Sequence, residues 1–258
     1  MISFVGAGPG APDLITLRGA QRLANADIVI WAASLVPEAV LAHCRSDVIR
    51  HDSKAMTLEE VTEVFAAHPT AAIVRLHSGD PSVYSAIAEQ IAWCVAHDHP
   101  FEIVPGVSSM AAAAAAGGHE LTVPGVAQSV VQTRLAHRTA RSMPPREQVR
   151  SFAATGATMV LYLSAARPAE LRTELIADGA GYAPDTPVLI ASRVSWPDER
   201  LVRSTVDQLA DDLHELGATM TVLILVGEAL RGGAPIPPER SHVYDPTFTH
   251  SFRTSTNG

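Results

Sequence analysis

The sequence predicts an α/β protein of two α/β domains, the N-terminal one with a mostly parallel sheet and the C-terminal one with a mixed sheet. Three observations predict this. Through residues 1–118, short apolar runs alternate with longer amphipathic stretches, the order expected of a parallel sheet with helices on its faces. Three of those runs lead directly into glycine-bearing loops: Ile2-Ser3-Phe4-Val5 into Gly6-Ala7-Gly8-Pro9-Gly10, Ala72-Ile73-Val74-Arg75-Leu76 into His77-Ser78-Gly79-Asp80-Pro81-Ser82, and Phe101-Glu102-Ile103-Val104 into Pro105-Gly106-Val107-Ser108-Ser109. From about residue 129 the apolar runs lie closer together, which suits a mixed sheet.

Taken in order, Ile28-Val29-Ile30-Trp31 is a second strand. Thr57-Leu58-Glu59-Glu60 matches a capping box, with Val61, Val64 and Phe65 following at helical spacing. Ser82 is expected to cap a helix that runs to about His97, with Ile87, Ile91 and Val95 on its apolar stripe. The alanine run 111–116 has strong helix propensity and small side chains for close packing; Gly117-Gly118 stops it. Ser129-Val130-Val131-Gln132-Thr133 reads as a strand, and the polar, basic stretch from Arg134 to Arg150 as a mobile segment. Further strands are expected at 159–163, 188–191 and 221–226. Helices are expected at 168–178 and 206–216, the second opened by a capping-box match at Thr205-Val206-Asp207-Gln208. The resulting division is 1–120, 121–231 and a peripheral tail, 232–258, rich in proline and polar residues.

Composition narrows the function. The formal charge of −8, the absence of a basic run and an aromatic content of 5% argue against a nucleic acid partner. Cys44 and Cys94 stand far apart with no C-x-x-C pair, so neither a zinc nor a redox motif is supported and no metal is expected. Met1 leads straight into a strand pattern without a charged leader, and no apolar run approaches the ~18 residues of a membrane span. A cytoplasmic protein with no membrane partner is the expectation.

In an open parallel sheet, ligands bind at the carboxyl ends of the strands. Glycines there let the backbone approach a ligand closely. The three loops therefore outline one rim of a pocket. Gly6-Ala7-Gly8-Pro9-Gly10 departs from the dinucleotide fingerprint: its third glycine is one place early, prolines interrupt it, and no acidic residue ends the second strand. Asp80, between a glycine and a proline, either aims its carboxylate at a ligand or makes an Asx turn or N-cap for the next helix.

Together, Val5-Gly6-Ala7-Gly8-Pro9-Gly10 with Leu14-Ile15-Thr16-Leu17-Arg18-Gly19, His77-Ser78-Gly79-Asp80-Pro81-Ser82-Val83-Tyr84 and Val104-Pro105-Gly106-Val107-Ser108-Ser109 resemble the tetrapyrrole (corrin/porphyrin) methyltransferase family over about residues 1–230. Ala33-Ser34-Leu35-Val36, Gln132-Thr133-Arg134, Leu161-Tyr162-Leu163-Ser164-Ala165 and Ala191-Ser192-Arg193-Val194-Ser195-Trp196-Pro197-Asp198-Glu199 are similar to a branch acting in cobalamin synthesis. The resemblance implies S-adenosylmethionine as cofactor, a tetrapyrrole substrate and a homodimer. It implies cofactor contacts at Pro9, Ser78, Gly79, Asp80, Val83, Ser108 and Ser109, and at Leu163, Ala191 and Met220 in the second half.

Such a substrate carries acetate and propionate arms, which a net-negative protein must meet with local positive charge. Arg134, Arg138 and Arg193 are the candidates, with His77 and Lys54 behind them. Arg134 departs from some relatives in being followed by Leu135-Ala136-His137 rather than by a nearby proline. No strong general base stands out; His77 and Asp80 are the two catalytic candidates, and catalysis is expected to be mostly positioning. Methylation of RNA or of a protein on the same fold, a cofactor-binding protein without turnover and an NAD oxidoreductase are the competing readings.

Overall fold

The structure is a computed structural model that describes residues 1–136, 142–177, 181–231 and 241–255. It divides into two compact units, Met1–Ala116 with Arg193–Arg200, and Gly117–Ser192 with Leu201–Gly258.

The first unit holds β1 (Ile2–Gly6), α1 (Leu17–Ala24), β2 (Ile28–Trp31), β3 (Ile49–Asp52), α2 (Leu58–Ala67), β4 (Ile73–His77), α3 (Ile87–Ala96) and β5 (Phe101–Val104), and most of α4 (Ser109–Gly117). Its sheet runs β3-β2-β4-β1-β5, and each of these pairings is parallel. Alternation along the strands sends Ile2, Phe4, Ile28, Ile30 and Ile73 to one face, where Val61 and Phe65 of α2 and Cys94 of α3 cover them. Val5, Val29, Val74, Leu76 and Val104 take the other face, against Leu23 of α1 and Val36, Val40 and Leu41. Burying each large side chain of this kind contributes roughly 1.5–3 kcal/mol. The strand order has a direct consequence for the site. Because β4, β1 and β5 are neighbours and parallel, the three glycine loops leave the same edge side by side.

The second unit holds β6 (Val130–Arg134), α5 (Val149–Ala153), β7 (Thr158–Tyr162), α6 (Pro168–Ile176), β8 (Pro187–Ser192), most of β9 (Arg200–Thr205), α7 (Leu209–Leu216) and β10 (Val222–Val226). The sheet order is β6-β7-β10-β8-β9; β6 lies parallel to β7, while β10 runs antiparallel to β7 and β8. This is the mixed sheet expected from the shorter spacing. One face packs Met159, Leu161, Ile190 and Ile224 against Val149, Leu171, Leu175, Leu209 and Leu213 of the helices. Among the described residues no helix is long and apolar enough to cross a membrane.

Several local expectations are corrected. The helix expected from Ser82 begins at Ile87. The Asp80 carboxylate captures the Ser82 N–H and hydroxyl, and Tyr84 and Ala86 turn left-handed, with φ of 53° and 50°, so the chain loops before it coils. The buried stripe of α3 runs through Gln90 and Cys94, while Val95 is 64% exposed. Thr205 ends β9, and its hydroxyl accepts from Gln208 N–H in a turn; α7 starts only at Leu209, without a capping box. β3 and β9 escaped the sequence reading because both are edge strands with polar sequences, Ile-Arg-His-Asp and Arg-Leu-Val-Arg-Ser-Thr. Within the stretch read as mobile, residues 137–141 lie outside the described residues and Val149–Ala153 forms α5.

The capping box at the start of α2 forms as expected: Glu60 N–H donates to Thr57 Oγ1 at 3.3 Å, and Thr57 N–H donates to Glu60 Oε2 at 2.6 Å. Thr57→Ala removes the first bond and should cost about 1 kcal/mol, read as a lower urea midpoint by circular dichroism; an unchanged midpoint would show the cap to be energetically idle.

Candidate active site

At the carboxyl edge of the first sheet the three loops touch through bare backbone. A Cβ placed on Gly6 would stand 2.5 Å from Gly106 Cα and 2.7 Å from the Gly79 carbonyl oxygen. One on Gly106 would strike the same carbonyl and lie 2.7 Å from Gly6 Cα. Gly8 and Gly79 form an isolated antiparallel bridge, Gly79 N–H donating to Gly8 O at 2.8 Å and Gly8 N–H to Gly79 O at 3.2 Å. Both have positive φ, 79° and 66°, a conformation available to glycine at little cost.

Asp80 fastens the second loop to the third. Its Oδ1 accepts from Ser82 N–H at 2.8 Å and from the Ser82 hydroxyl; its Oδ2 accepts from Gly106 N–H at 2.8 Å. Burial pushes its carboxyl upward, but the bonds from the Ser82 hydroxyl, Gly106 N–H and Ser82 N–H outweigh it and hold the group below the usual carboxylate range. Of the two readings offered for Asp80, the Asx turn is the one seen: main-chain and hydroxyl donors of the second and third loops engage both of its oxygens. Ser109 Oγ stands 3.3 Å from the position a Gly79 Cβ would occupy, and Ser108 Oγ accepts from Met110 N–H at the start of α4. Val83 N–H donates to Asp80 O at 3.3 Å. The structure thus gathers Ser78, Gly79, Asp80, Val83, Ser108 and Ser109 on adjoining loops, with Pro9 on the loop alongside.

The first loop has supports that sequence reasoning missed. Trp196 Nε1 donates to Pro9 O at 3.1 Å, and Ala11 N–H donates to Ser195 Oγ at 2.9 Å. Ser195 N–H is itself held by Glu199 Oε2 at 2.6 Å. Trp196 fits because residue 10 is glycine: a Cβ there would meet the indole Nε1 at 2.5 Å. The Arg193 guanidinium lies 3.9 Å from the Trp196 ring centroid and pairs with Asp198 at 2.7 Å, so its charge already has a counter-ion and an aromatic face. The only hint in the sequence was the segment Ser195-Trp196-Pro197-Asp198-Glu199, quoted for its resemblance alone.

In the second unit, Leu161 pairs with Ile224 and Ala191 with Leu223. That register brings the carboxyl ends of β7 and β8 to the start of β10, so Leu163, Ala191 and Met220 share one end of the sheet. Leu163 and Met220 are 73% and 76% exposed and Ala191 is buried. Leu163 is left-handed, with φ of 53°, an uncommon state for a branched side chain and one that recurs at functional sites. Arg134 Nη2 donates to Ser142 Oγ at 2.9 Å, Lys54 pairs with Asp52 at 3.1 Å, and Arg138 lies outside the described residues.

His77 ends β4, buried against Phe4 with ring centroids 6.2 Å apart, and its Nε2 has no hydrogen-bond partner among the described residues. Burial, reinforced by the Arg75 charge, pulls its pKa from 6.5 down to about 3. At neutral pH the ring is uncharged and a poor proton acceptor, well away from the pKa near operating pH that suits a general base.

The family described as "Tetrapyrrole (Corrin/Porphyrin) Methylases" matches residues 1–210. A precorrin-4 C(11)-methyltransferase of Mycobacterium tuberculosis is 43% identical over 231 residues, 89% of this chain and 91% of that protein. The X-ray structure of a cobalamin biosynthetic enzyme, a cobalt precorrin-4 methyltransferase, superposes with a TM-score of 0.84 at 38% identity, covering 89% of this chain and 95% of that one. A uroporphyrin-III C-methyltransferase from Thermus thermophilus, solved with S-adenosylhomocysteine, superposes with a TM-score of 0.73 at 29% identity, covering 89% and 98%.

Two outcomes follow from this geometry. Gly106→Ala forces the backbones of two loops apart and should lower stability by roughly 1–3 kcal/mol, seen as a drop in melting temperature; an unaltered melting curve would mean the loops are not in contact. For His77, the unfolded ring takes a proton as pH falls through 6.5, whereas the folded ring does so only near 3, so acidification across that window favours unfolding. Urea unfolding at pH 7 and pH 5 should therefore show the wild type losing about 2 kcal/mol more than His77→Asn; equal losses would refute the buried, neutral ring.

Proposed function

The chain belongs to the tetrapyrrole (corrin/porphyrin) methylase family, and from that premise we propose how its residues serve the reaction. The protein is an S-adenosylmethionine-dependent methyltransferase that methylates precorrin-4 at C-11, giving precorrin-5 in cobalamin biosynthesis. The observation that carries the reading is the close packing of Gly6, Gly79 and Gly106, which joins the three loops through main chain at the carboxyl edge of the sheet. Relatives with this chemistry are described for both precorrin-4 and cobalt precorrin-4, and the reading adopted is the step they share.

The residues present suit the cofactor. Pro9, Ser78, Gly79, Asp80, Val83, Ser108 and Ser109 are the residues proposed to hold it, with Leu163, Ala191 and Met220. When bound, S-adenosylmethionine supplies an electrophilic methyl group on a cationic sulfur. A site rich in carbonyls suits that charge better than a bare carboxylate, which would favour the cationic ground state over the transition state in which the charge disperses. Asp80 meets this requirement because its oxygens already accept from Gly106 and Ser82. With His77 neutral and Asp80 engaged, the work left to the protein is orientation, which supplies up to ~7–11 kcal/mol when reacting atoms are held in line.

Arg134 and Arg138 are proposed to meet the acidic arms of the macrocycle. Arg193, paired with Asp198 and stacked on Trp196, is proposed instead to steady the clasp on Pro9. A homodimer, a cytoplasmic location, no nucleic acid partner and functional divisions at 1–120, 121–231 and 232–258 complete the reading.

The test is to incubate the protein with methyl-labelled S-adenosylmethionine and precorrin-4, with and without cobalt, alongside RNA. Mass spectrometry and NMR should find one new methyl group, at C-11. No transfer, transfer to RNA or a label at another ring carbon would refute the assignment.

A further inference from the structure

The α2/α3 face of the first sheet carries a second set of polar groups, which the methyl-transfer reading leaves unused. In-register pairing aligns His51 of β3, Ile30 of β2 and Arg75 of β4 in one row, and His77 follows two residues beyond Arg75 on the same face. The Arg75 guanidinium is spread across neutral acceptors: Nη1 donates to Ile30 O at 3.2 Å and Leu76 O at 3.5 Å, and Nε donates to Gln90 Oε1 at 3.3 Å. Gln90 is buried and is itself anchored to Ala86 O at 3.3 Å. Among the described residues no carboxylate pairs with Arg75, and burial alone acts on it, pulling its pKa down to about 10. The acidic residue next along β3, Asp52, points to the opposite face and pairs with Lys54.

Among the described residues three enclosed polar atoms on or beside this face have no partner: His77 Nε2, whose ring feels the Arg75 charge, His51 Nε2 on β3, two strands from β4, and Ser53 Oγ just past β3. A part-buried cation without a counter-ion and an enclosed ring nitrogen without a partner are each unfavourable, and an anion arriving at Arg75 beside His77 would relieve both. A neutral imidazole protonated on Nε2 donates to an anion without adding charge. The loop above, residues 82–86, has two left-handed non-glycine residues, Tyr84 and Ala86, the kind of stored strain that gathers at ligand sites.

We propose that Arg75, with His77 beside it on the same strand face, receives one carboxylate arm of the tetrapyrrole substrate. The inference rests on the reading of the substrate given above and adds a specific residue to it. Arg75 touches the arm rather than the reacting carbon, so its contribution is to binding and orientation. A planar guanidinium presents paired donors to a carboxylate, which a lysine ammonium cannot reproduce.

The test uses uroporphyrin, a stable macrocycle with carboxylate arms, titrated by fluorescence into the full-length protein, with calorimetric uptake of S-adenosylhomocysteine as the second readout. Arg75→Gln should weaken uroporphyrin binding at least ~10-fold, Arg75→Lys should recover part of the loss, and S-adenosylhomocysteine uptake should stay within about twofold of wild type. Unchanged uroporphyrin affinity in Arg75→Gln, or equal loss of both ligands, would overturn the proposal. If Arg75→Gln does not fold, Arg75→Lys and His77→Asn decide: weakened uroporphyrin binding with retained cofactor product supports it, and wild-type affinity in both refutes it. The titration needs no turnover, so a wild-type protein inactive on precorrin-4 would count against the proposed reaction without altering this measurement.

Discussion

The close approach of Gly6, Gly79 and Gly106 is the contact on which the rest of the site depends. Three parallel strands bring three loops to one edge, but neighbouring loops ordinarily stand apart by the width of their side chains. Here a Gly79 carbonyl occupies the space two Cβ atoms would need, and the Asp80 carboxylate spans the remaining gap to the Gly106 N–H. The result is three loops held together through their main chains, a rigidity of the kind that makes electrostatic preorganisation effective.

The strand order explains why so much of this was legible in the sequence. Short apolar runs ending in glycine mark parallel strands here, and β1, β4 and the edge strand β5 carry that signature. Where the signal failed, the residues had reason to hide it. Ile49–Asp52 and Arg200–Thr205 are sheet edges with a solvated side, so their composition is polar. The start of α3 shifted to Ile87 because Asp80 engages Ser82 and the chain spends four further residues in a turn, a competition between side-chain and helical hydrogen bonding that periodicity does not register. The clasp of Trp196 on Pro9 joins residues 187 apart, and no local pattern reports such a pairing.

Charge placement is consistent with a reaction run by orientation. The two acid–base candidates are both occupied or disarmed, Asp80 by three donors and His77 by burial. Positive charge is disposed in two different ways: Arg193 is neutralised by Asp198 and fixed on an indole, whereas Arg75 lies among neutral oxygens. The same residue type thus serves as a mechanical element in one place and as an unspent electrostatic one in another, and only the neighbours distinguish them.

The grouping of Arg193–Arg200 with the first unit bears on how such a protein can be taken apart. The chain leaves that unit after Ala116, returns for eight residues, and departs again. A gene fragment ending at residue 116 would encode every strand of the first sheet yet omit Trp196 and Ser195, which bond to Pro9 and Ala11. Swapping or shuffling the front half as a contiguous cassette would therefore separate its first glycine loop from its own struts.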